Sequence, residues 1–334
     1  MDFYTNVVQW GNFLLVRGVD KNQRVNFRLK YKPTLFVPVM KQTDWKTLDG
    51  KSVTPYQFNC IKDAKDFLLK YESQPHLVHG LNRFAYTYIS DTFPQKVNWN
   101  IDKLLIMTID IEVQCENGFP NPESAIEPLL SITVKNQQSK KIIVWGIQPY
   151  KNTREDVTYI RCPNEHDLIM EFMSFWTKNY PDVITGWNTD FFDIPYLANR
   201  IKQVCGEDKM RELSPWKNVS SKQIYSMGRN HLMYDIMGVS QYDYLQLYQK
   251  FTYTRQESYK LDYIASVELG EKKDENPYET FREWYENDFQ SFIDYNIQDV
   301  EIVDKLEDKM GLIDLALTMA YEGKVNYSDV FGQV

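Results

Sequence analysis

The run Leu104-Leu105-Ile106-Met107-Thr108-Ile109-Asp110-Ile111-Glu112-Val113 constrains this chain more than any other stretch. It is short, nearly continuous in apolar side chains and rich in β-branched residues, so it predicts a buried strand rather than a helix. Successive side chains on a strand point to opposite faces, which puts Thr108, Asp110 and Glu112 on the same one. Two carboxylates then stand side by side at the edge of a core. At about 4 Å two like charges repel by roughly 4 kcal/mol at an effective dielectric near 20. No Lys, Arg or His lies between Leu104 and Val134, while Glu116, Glu123 and Glu127 add further acid. A shared proton or a bound cation would relieve the repulsion, and oxygen-only ligands suit Mg²⁺ or Mn²⁺. An isolated D-x-E also fits a plainer arrangement, in which one acid points to solvent beyond the strand end.

The 334 residues suffice for two domains of ordinary size. An apolar fraction of 43% with 15% aromatic residues excludes a disordered chain. Met1-Asp2-Phe3-Tyr4-Thr5 lacks the basic and apolar regions of a signal peptide. No apolar run approaches the ~20 residues that a membrane span needs, so no membrane partner is expected. Cys60, Cys115, Cys162 and Cys205 are scattered and form no C-x-x-C pair. Neither a zinc site nor a disulfide framework is therefore indicated, and a reducing, cytoplasmic location is the default. The net charge of −8 argues against a generic basic nucleic-acid coat protein. It leaves room for a nucleic-acid enzyme whose acids hold metal.

Residues 1–102 read as a small mixed domain. Strands are predicted at 6–18 and 24–32 around a turn at 19–23, with another strand at 35–39 whose Pro38 suits an edge. A helix is predicted at 62–71. Arg17, Lys21, Arg24, Arg28, Lys30 and Lys32 form either a nucleic-acid face or a solvated strand face. From Lys103 onward, the D-x-E strand leads to strands at 129–134 and 141–146 across the polar turn Asn136-Gln137-Gln138-Ser139. A helix at 165–179, a short strand at 182–187 and a helix at 195–205 stopped by Gly206 follow. Residues 223–235 resemble a hairpin turning at Met227-Gly228-Arg229-Asn230. Helices are predicted at 242–251, 258–267, 288–308 and 312–322, with a polar loop at 271–277. Strands first, then alternating strand and helix with acids at strand ends, describe an α/β domain of ribonuclease-H type.

Asp193 precedes Ile194-Pro195. It fits the N-cap of a proline-started helix, and it equally fits a third carboxylate placed where strand ends meet helix starts. Tyr295 and Asp299 are four residues apart on the helix at 288–308, beside the apolar stripe Phe292, Ile293, Ile297, Val300 and Val303. Asp299 reads as a surface residue at the rim of that stripe. It becomes a ligand if the helix lies across the D-x-E strand.

Taken together, Asp110-x-Glu112, Asn188-x-x-x-Phe192-Asp193 and Tyr295-x-x-x-Asp299 resemble the three exonuclease motifs of family B DNA polymerases, of the DEDDy 3′→5′ type. Longer stretches look like polymerases of T-even-type bacteriophages: Thr185-Gly186-Trp187-Asn188 through Asp193-Ile194-Pro195-Tyr196, Leu261-Asp262-Tyr263-Ile264, and Tyr295-Asn296-Ile297-Gln298-Asp299-Val300. The resemblance spans nearly the whole chain and is weakest in the first 100 residues. It implies a ribonuclease-H-like mixed sheet with flanking helices at 103–311, and a smaller α+β N-terminal domain at 1–102 completed by 312–334. The palm motifs Asp-x-x-Ser-Leu-Tyr and Tyr-Gly-Asp-Thr-Asp do not occur. Palm, fingers and thumb are thus expected to be absent, and no polymerase activity is expected from this chain alone. It reads as a fragment or as the N-terminal half of a split polymerase. The connection between Val113 and Glu165 reads as shorter than in the T-even relatives.

By the same resemblance, Asp110, Glu112, Asp193 and Asp299 would hold two divalent cations, Mg²⁺ or Mn²⁺, about 4 Å apart. Tyr295 would orient the attacking water or the scissile phosphate. The substrate would be a single-stranded or frayed DNA 3′ end on primer–template DNA, and the product a 5′-mononucleotide. Phe119 would wedge between bases, although it also reads as an ordinary loop aromatic before Pro120. Asn188 would contact the terminal nucleotide, and Gly228 and Arg229 would help part primer from template. Partners would be the polymerase C-terminal half and replication accessory proteins, in a host cell cytoplasm. Two other readings stay open: a weakly active nucleic-acid-binding scaffold subunit of a split polymerase, and an RNA-directed enzyme of the DEDDy class.

Overall fold

The structure, a computed structural model, describes residues 1–115, 118–226, 228–271 and 276–331. Glu116, Met227 of the hairpin turn, and residues 272–275 of the polar loop lie outside the described residues. The chain divides into two compact units, Met1–Lys103 with Leu317–Val334, and Leu104–Ala316.

In the first unit, β1 (Phe3–Trp10), β2 (Phe13–Asp20) and β3 (Gln23–Lys30) form an antiparallel meander. The single strand expected at 6–18 is two strands. Trp10 pairs with Phe13, and Gly11 turns the chain at φ 57, a conformation that glycine adopts without strain. The second turn puts Lys21 and Asn22 both at positive φ, which matches the right-handed twist of the flanking strands. β4 (Thr34–Pro38) and β5 (Val53–Gln57) pair as a two-stranded sheet, where every strand is an edge and Pro38 is tolerated. α1 (Ile61–Lys70) and α2 (Phe84–Thr92) complete the N-terminal part. Of the six basic residues, Arg17 is not part of a solvated face. It is buried, whereas most of β3 is exposed. The C-terminal residues are tied to β1: Asn326 exchanges two hydrogen bonds with the Val7 backbone, at 2.8 and 2.9 Å.

The second unit is an α/β assembly around one mixed sheet. Its strands are β6 (Ile106–Val113), β7 (Leu129–Asn136), β8 (Ile142–Gly146), β9 (Val157–Arg161), β10 (Val183–Gly186), a separate hairpin of β11 (Val219–Ser226) and β12 (Arg229–Ile236), and β13 (Ser240–Asp243). Its helices are α3 (Glu165–Lys178), α4 (Asp193–Cys205), α5 (Glu207–Arg211), α6 (Tyr244–Phe251), α7 (Leu261–Leu269), α8 (Phe281–Asn287), α9 (Phe289–Met310) and α10 (Leu312–Gly323), whose residues from Leu317 on belong to the first unit. The sheet order is β13-β10-β6-β7-β8-β9. β6–β7 and β7–β8 are antiparallel, and β8–β9, β6–β10 and β10–β13 are parallel.

Sequence pattern missed two of these strands. β9 is a five-residue edge strand. β13 takes the first two residues of the helix expected at 242–251. Asp243 ends that strand and caps α6, accepting a hydrogen bond from the Leu245 amide at 2.9 Å.

The alternation along β6 sets the layers. Met107, Ile109, Ile111 and Val113 join α3 and α4 in one core, with Phe172, Trp176, Leu197 and Ile201. The opposite face of the sheet packs Leu130, Ile142 and Val144 against Trp284, Phe292, Ile297 and Val300 of α8 and α9. Each such large apolar side chain contributes about 1.5–3 kcal/mol on burial. Thr108, Asp110 and Glu112 therefore point toward α9. No helix among the described residues is long and apolar enough to cross a membrane.

Candidate metal centre

Strand register puts polar residues on both strands beneath α9. Asp110 pairs with Thr133, Glu112 with Ser131, and Thr108 with Lys135. From the helix side, Asn296 is completely buried against them. Its carbonyl oxygen accepts from Ser131 Oγ at 3.0 Å and from Thr133 Oγ1. With its acceptor so occupied, its amide nitrogen donates to Asp110 Oδ2. Lys135 turns farther along the helix and pairs with Asp304 at 2.8 Å. Its charge is thereby directed to Asp304, beyond the acidic group.

Asp110, Glu112 and Asp299 each offer a carboxylate oxygen, and these oxygens lie within 4.8 Å of one another. Glu112 and Asp299 are both 9% exposed. Asp299 is thus no rim residue. α9 crosses β6 and β7, and this crossing buries the flank on which Asp299 stands. Three carboxylates so close repel, and the repulsion grows as water is removed. An all-oxygen, hard donor set with neutral amide support fits a divalent cation such as Mg²⁺ or Mn²⁺.

Asp193 is not a helix cap. α4 begins at Asp193 itself, and the residue before it, Phe192, makes no side-chain capping bond. The Asp193 carboxylate instead accepts from the Ile111 amide at 3.1 Å, the peptide between the two acids of β6. β10 pairs with β6 only as far as Thr108, so the amides beyond it need another acceptor. A Cβ at Gly186 would run into the Ile109 carbonyl oxygen, so glycine permits the close approach of β10 at that point. Burial pushes the Asp193 carboxyl well above the usual carboxylate range, and the Ile111 amide works against that rise. The structure therefore gathers Asp110, Glu112 and Asp299, and it ties Asp193 to the same strand through the backbone. Tyr295 precedes Asn296 and is half-buried, its ring 4.9 Å from that of Trp284 and 6.1 Å from that of Phe281.

Asn188 lies on the turn leading into α4, at φ 64. Asp243, at the end of β13, accepts from the amides of Asn188 (3.0 Å) and Asp190 (3.1 Å) as well as from its own helix. Gln246 donates to Asp190 Oδ2 at 2.8 Å. Asp190 and Asp243 are both buried, and burial raises both carboxyls above their ordinary range, Asp190 further because Asp243 is beside it. Sequence reasoning missed Asn296, Asp190, Asp243 and Gln246. Asn296 and Asp190 sit inside the motif stretches, and for Asn296 a polar residue on the core-facing side of a helix was an available signal. Asp243 is placed locally only as the cap of α6; nothing local marks its bonds to Asn188 and Asp190, or the Gln246 bond to Asp190, which span more than 50 residues.

A cleft of about 420 Å³ opens among Phe119, Asn188, Phe191, Phe192, Arg229 and His231. Phe119 is 83% exposed, and its ring is 5.0 Å from that of Phe192. It is a displayed aromatic and not a core residue. Gly228, at φ 81, stands in the hairpin turn, and Arg229 Nε donates to His231 Nε2 at 3.3 Å.

Residues 81–264 match the family described as DNA polymerase family B, exonuclease domain. That stretch holds Asp110, Glu112, Asn188, Asp193 and the hairpin. The chain is also 32% identical to the DNA-directed DNA polymerase of Escherichia phage RB69 and 32% identical to that of Enterobacteria phage T4. Each similarity covers 100% of this chain and 40% of the relative, so Tyr295 and Asp299 fall within it. The catalytic subunit of DNA polymerase delta from Candida albicans is 29% identical over 54% of this chain and 18% of its own length. The chain thus spans about 40% of the length of the phage polymerases it matches.

Proposed function

The chain belongs to the family B DNA polymerases through their exonuclease domain, and from that premise we propose that it hydrolyses nucleotides from DNA 3′ ends with divalent cations. The observation that carries this reading is the convergence of Asp110, Glu112 and Asp299 from β6 and α9. Residues 103–311 are then a ribonuclease-H-like DEDDy exonuclease domain, and residues 1–102, completed by 312–334, an N-terminal domain. Asp110, Glu112, Asp193 and Asp299 would hold two cations, Mg²⁺ or Mn²⁺. Cations held by these carboxylates would supply Lewis-acid chemistry, polarising the phosphate and lowering the pKa of a bound water.

The chain's own residues prepare that chemistry. Asn296 fixes the orientation of Asp110 through bonds to Ser131 and Thr133, so little reorganisation accompanies reaction. Asp193 clamps the strand between the two acids. Tyr295 is held by Phe281 and Trp284, and it orients the attacking water or the phosphate. A phenol is too weak a base at neutral pH to take the proton itself. Asn188, Phe119 and Arg229 line the cleft that receives the strand end. Product release would yield a 5′-mononucleotide, in the 3′→5′ direction. Primer–template DNA, the polymerase C-terminal half and replication accessory proteins are the partners this role requires.

The test is degradation of a 5′-labelled single-stranded oligonucleotide with Mg²⁺ or Mn²⁺, beside Asp110→Ala/Glu112→Ala protein. A ladder shortening from the 3′ end, lost in the double variant, is expected. Failure of the wild-type chain to bind either cation in calorimetry would sink the four-carboxylate site. Binding without cleavage would favour the scaffold reading, which the 40% coverage of the phage relatives motivates. The C-terminal half would then be needed for activity.

A further inference from the structure

The cleft has a second aromatic pair that the motifs do not announce. Phe191, on the turn before α4, packs its ring against that of His231 of β12, with ring centroids 4.3 Å apart and planes tilted by 35°. Arg229, two residues from His231 on the same strand, donates to the imidazole Nε2. His231 is buried and so fixed in place, whereas Phe191 is half-buried at the cleft wall. Phe119 and Phe192 form another ring pair lining the same cleft. Flat aromatic surfaces with a guanidinium beside them match a planar heterocycle carrying a phosphate, which is a nucleotide.

We infer that the Phe191–His231 ring pair is a base seat for the DNA strand, separate from Phe119, with Phe191 presenting the aromatic face and Arg229 locking the imidazole and facing the strand's phosphates. The inference rests on the exonuclease reading and deepens it by naming residues that set affinity for the strand end. Phe191 and His231 come from two elements, the 188–192 turn and the β11–β12 hairpin. The seat therefore forms only when the hairpin lies against that turn. Stacking accepts any base, because every base has an aromatic face. The seat thus supplies affinity without sequence preference, as removal of arbitrary nucleotides requires.

A purely structural role, in which the pair only staples the hairpin to the turn, predicts different behaviour toward substrate. Binding of 5′-fluorescein single-stranded oligonucleotides is read by anisotropy without added metal. One oligonucleotide is intact, and three carry an abasic site at the last, second or third nucleotide from the 3′ end. Wild-type chain should bind one of the abasic strands roughly ten-fold more weakly than the intact one, the scale of a lost stacked base. Phe191→Leu, which keeps an apolar side chain there, should bind the intact strand about ten-fold more weakly and lose nothing further on that abasic strand. His231→Phe keeps a ring beside Phe191 but gives up the Arg229 bond, so it should bind the intact strand more weakly and still show the wild-type penalty on that abasic strand, which keeps the test decisive if Phe191→Leu is poorly folded. Wild-type affinity in Phe191→Leu, multiplicative losses on all three abasic strands, or disappearance of the abasic penalty in folded His231→Phe would each overturn the seat. Cleavage without this coupling would leave the exonuclease reading standing and remove the seat. Coupling without metal-dependent cleavage would do the reverse.

Discussion

Asp110, Glu112 and Asp299 on one side, and Asp190 with Asp243 on the other, are two carboxylate groups in the same unit. Both are buried or nearly so, and their surroundings differ. Asp243 is met by three backbone amides at 2.9–3.1 Å, from Asn188, Asp190 and Leu245. Asp190 takes the Gln246 amide on one oxygen, while its Oδ1 has no hydrogen-bond donor among the described residues. Main-chain donors make Asp243 the better anion of the pair, and a proton on Asp190 relieves the rest. The trio under α9 is arranged otherwise: it crowds carboxylate oxygens within 4.8 Å of one another. The same side chain is thus a brace where amides surround it and a candidate ligand where other acids do.

The sharpest way to break that distinction is to neutralise one acid of each group. Asp299→Asn should lower oligonucleotide degradation by roughly 10²–10³-fold, the scale of losing one preorganised electrostatic group. It should leave the melting temperature unchanged or raised, since a repulsion is removed. Asp243→Ala should instead destabilise the fold by about 3 kcal/mol or more, because up to three amides lose their acceptor. Chemical denaturation would show it, and an unaltered midpoint would mean that the brace is dispensable.

Metal linkage sharpens the comparison further. Mn²⁺ at about 100 times its dissociation constant should stabilise wild-type chain by about 2.7 kcal/mol in thermal melts. Asp110→Ala/Glu112→Ala should lose that increment, and Asp190→Asn should keep it. Equal increments in all three would place the metal elsewhere.

The smallest effect concerns pH. The folded-state values of Asp190 and Asp243 are raised, so the folded chain holds protons that the unfolded chain releases. Their contribution to stability is complete below about pH 4, the unfolded carboxylate value, and is lost as pH rises through the raised folded values. Asp190→Asn should flatten that decline, gaining on wild type in melts as pH is raised. A parallel pair of pH profiles would show that Asp190 is ionised in the fold.

What was legible in the sequence is what a single element encodes. Period two along residues 104–113 placed Asp110 and Glu112 on one face, and the structure keeps them there, in β6. Helical spacing marked α9 and put Tyr295 and Asp299 on neighbouring turns. Local turn chemistry was legible in part: Gly206 stops α4, while the turn at Gly11 hid inside an apolar run.

Other features depend on which elements meet. Asp299 is buried because α9 crosses β6 and β7, and an isolated helix shows only that the residue borders its apolar stripe. Asp193 turns from its own helix to the Ile111 amide because β10 leaves that edge of β6 unpaired past Thr108. Asn296 and Asp243 gain their roles from partners 163 to 186 residues away in one case and 53 to 55 in the other. Periodicity reports which side chains share a face, because neighbours at i+2 or i+4 are set by backbone geometry alone. The partner across that face is chosen by packing of the whole unit, and only the tertiary structure shows it.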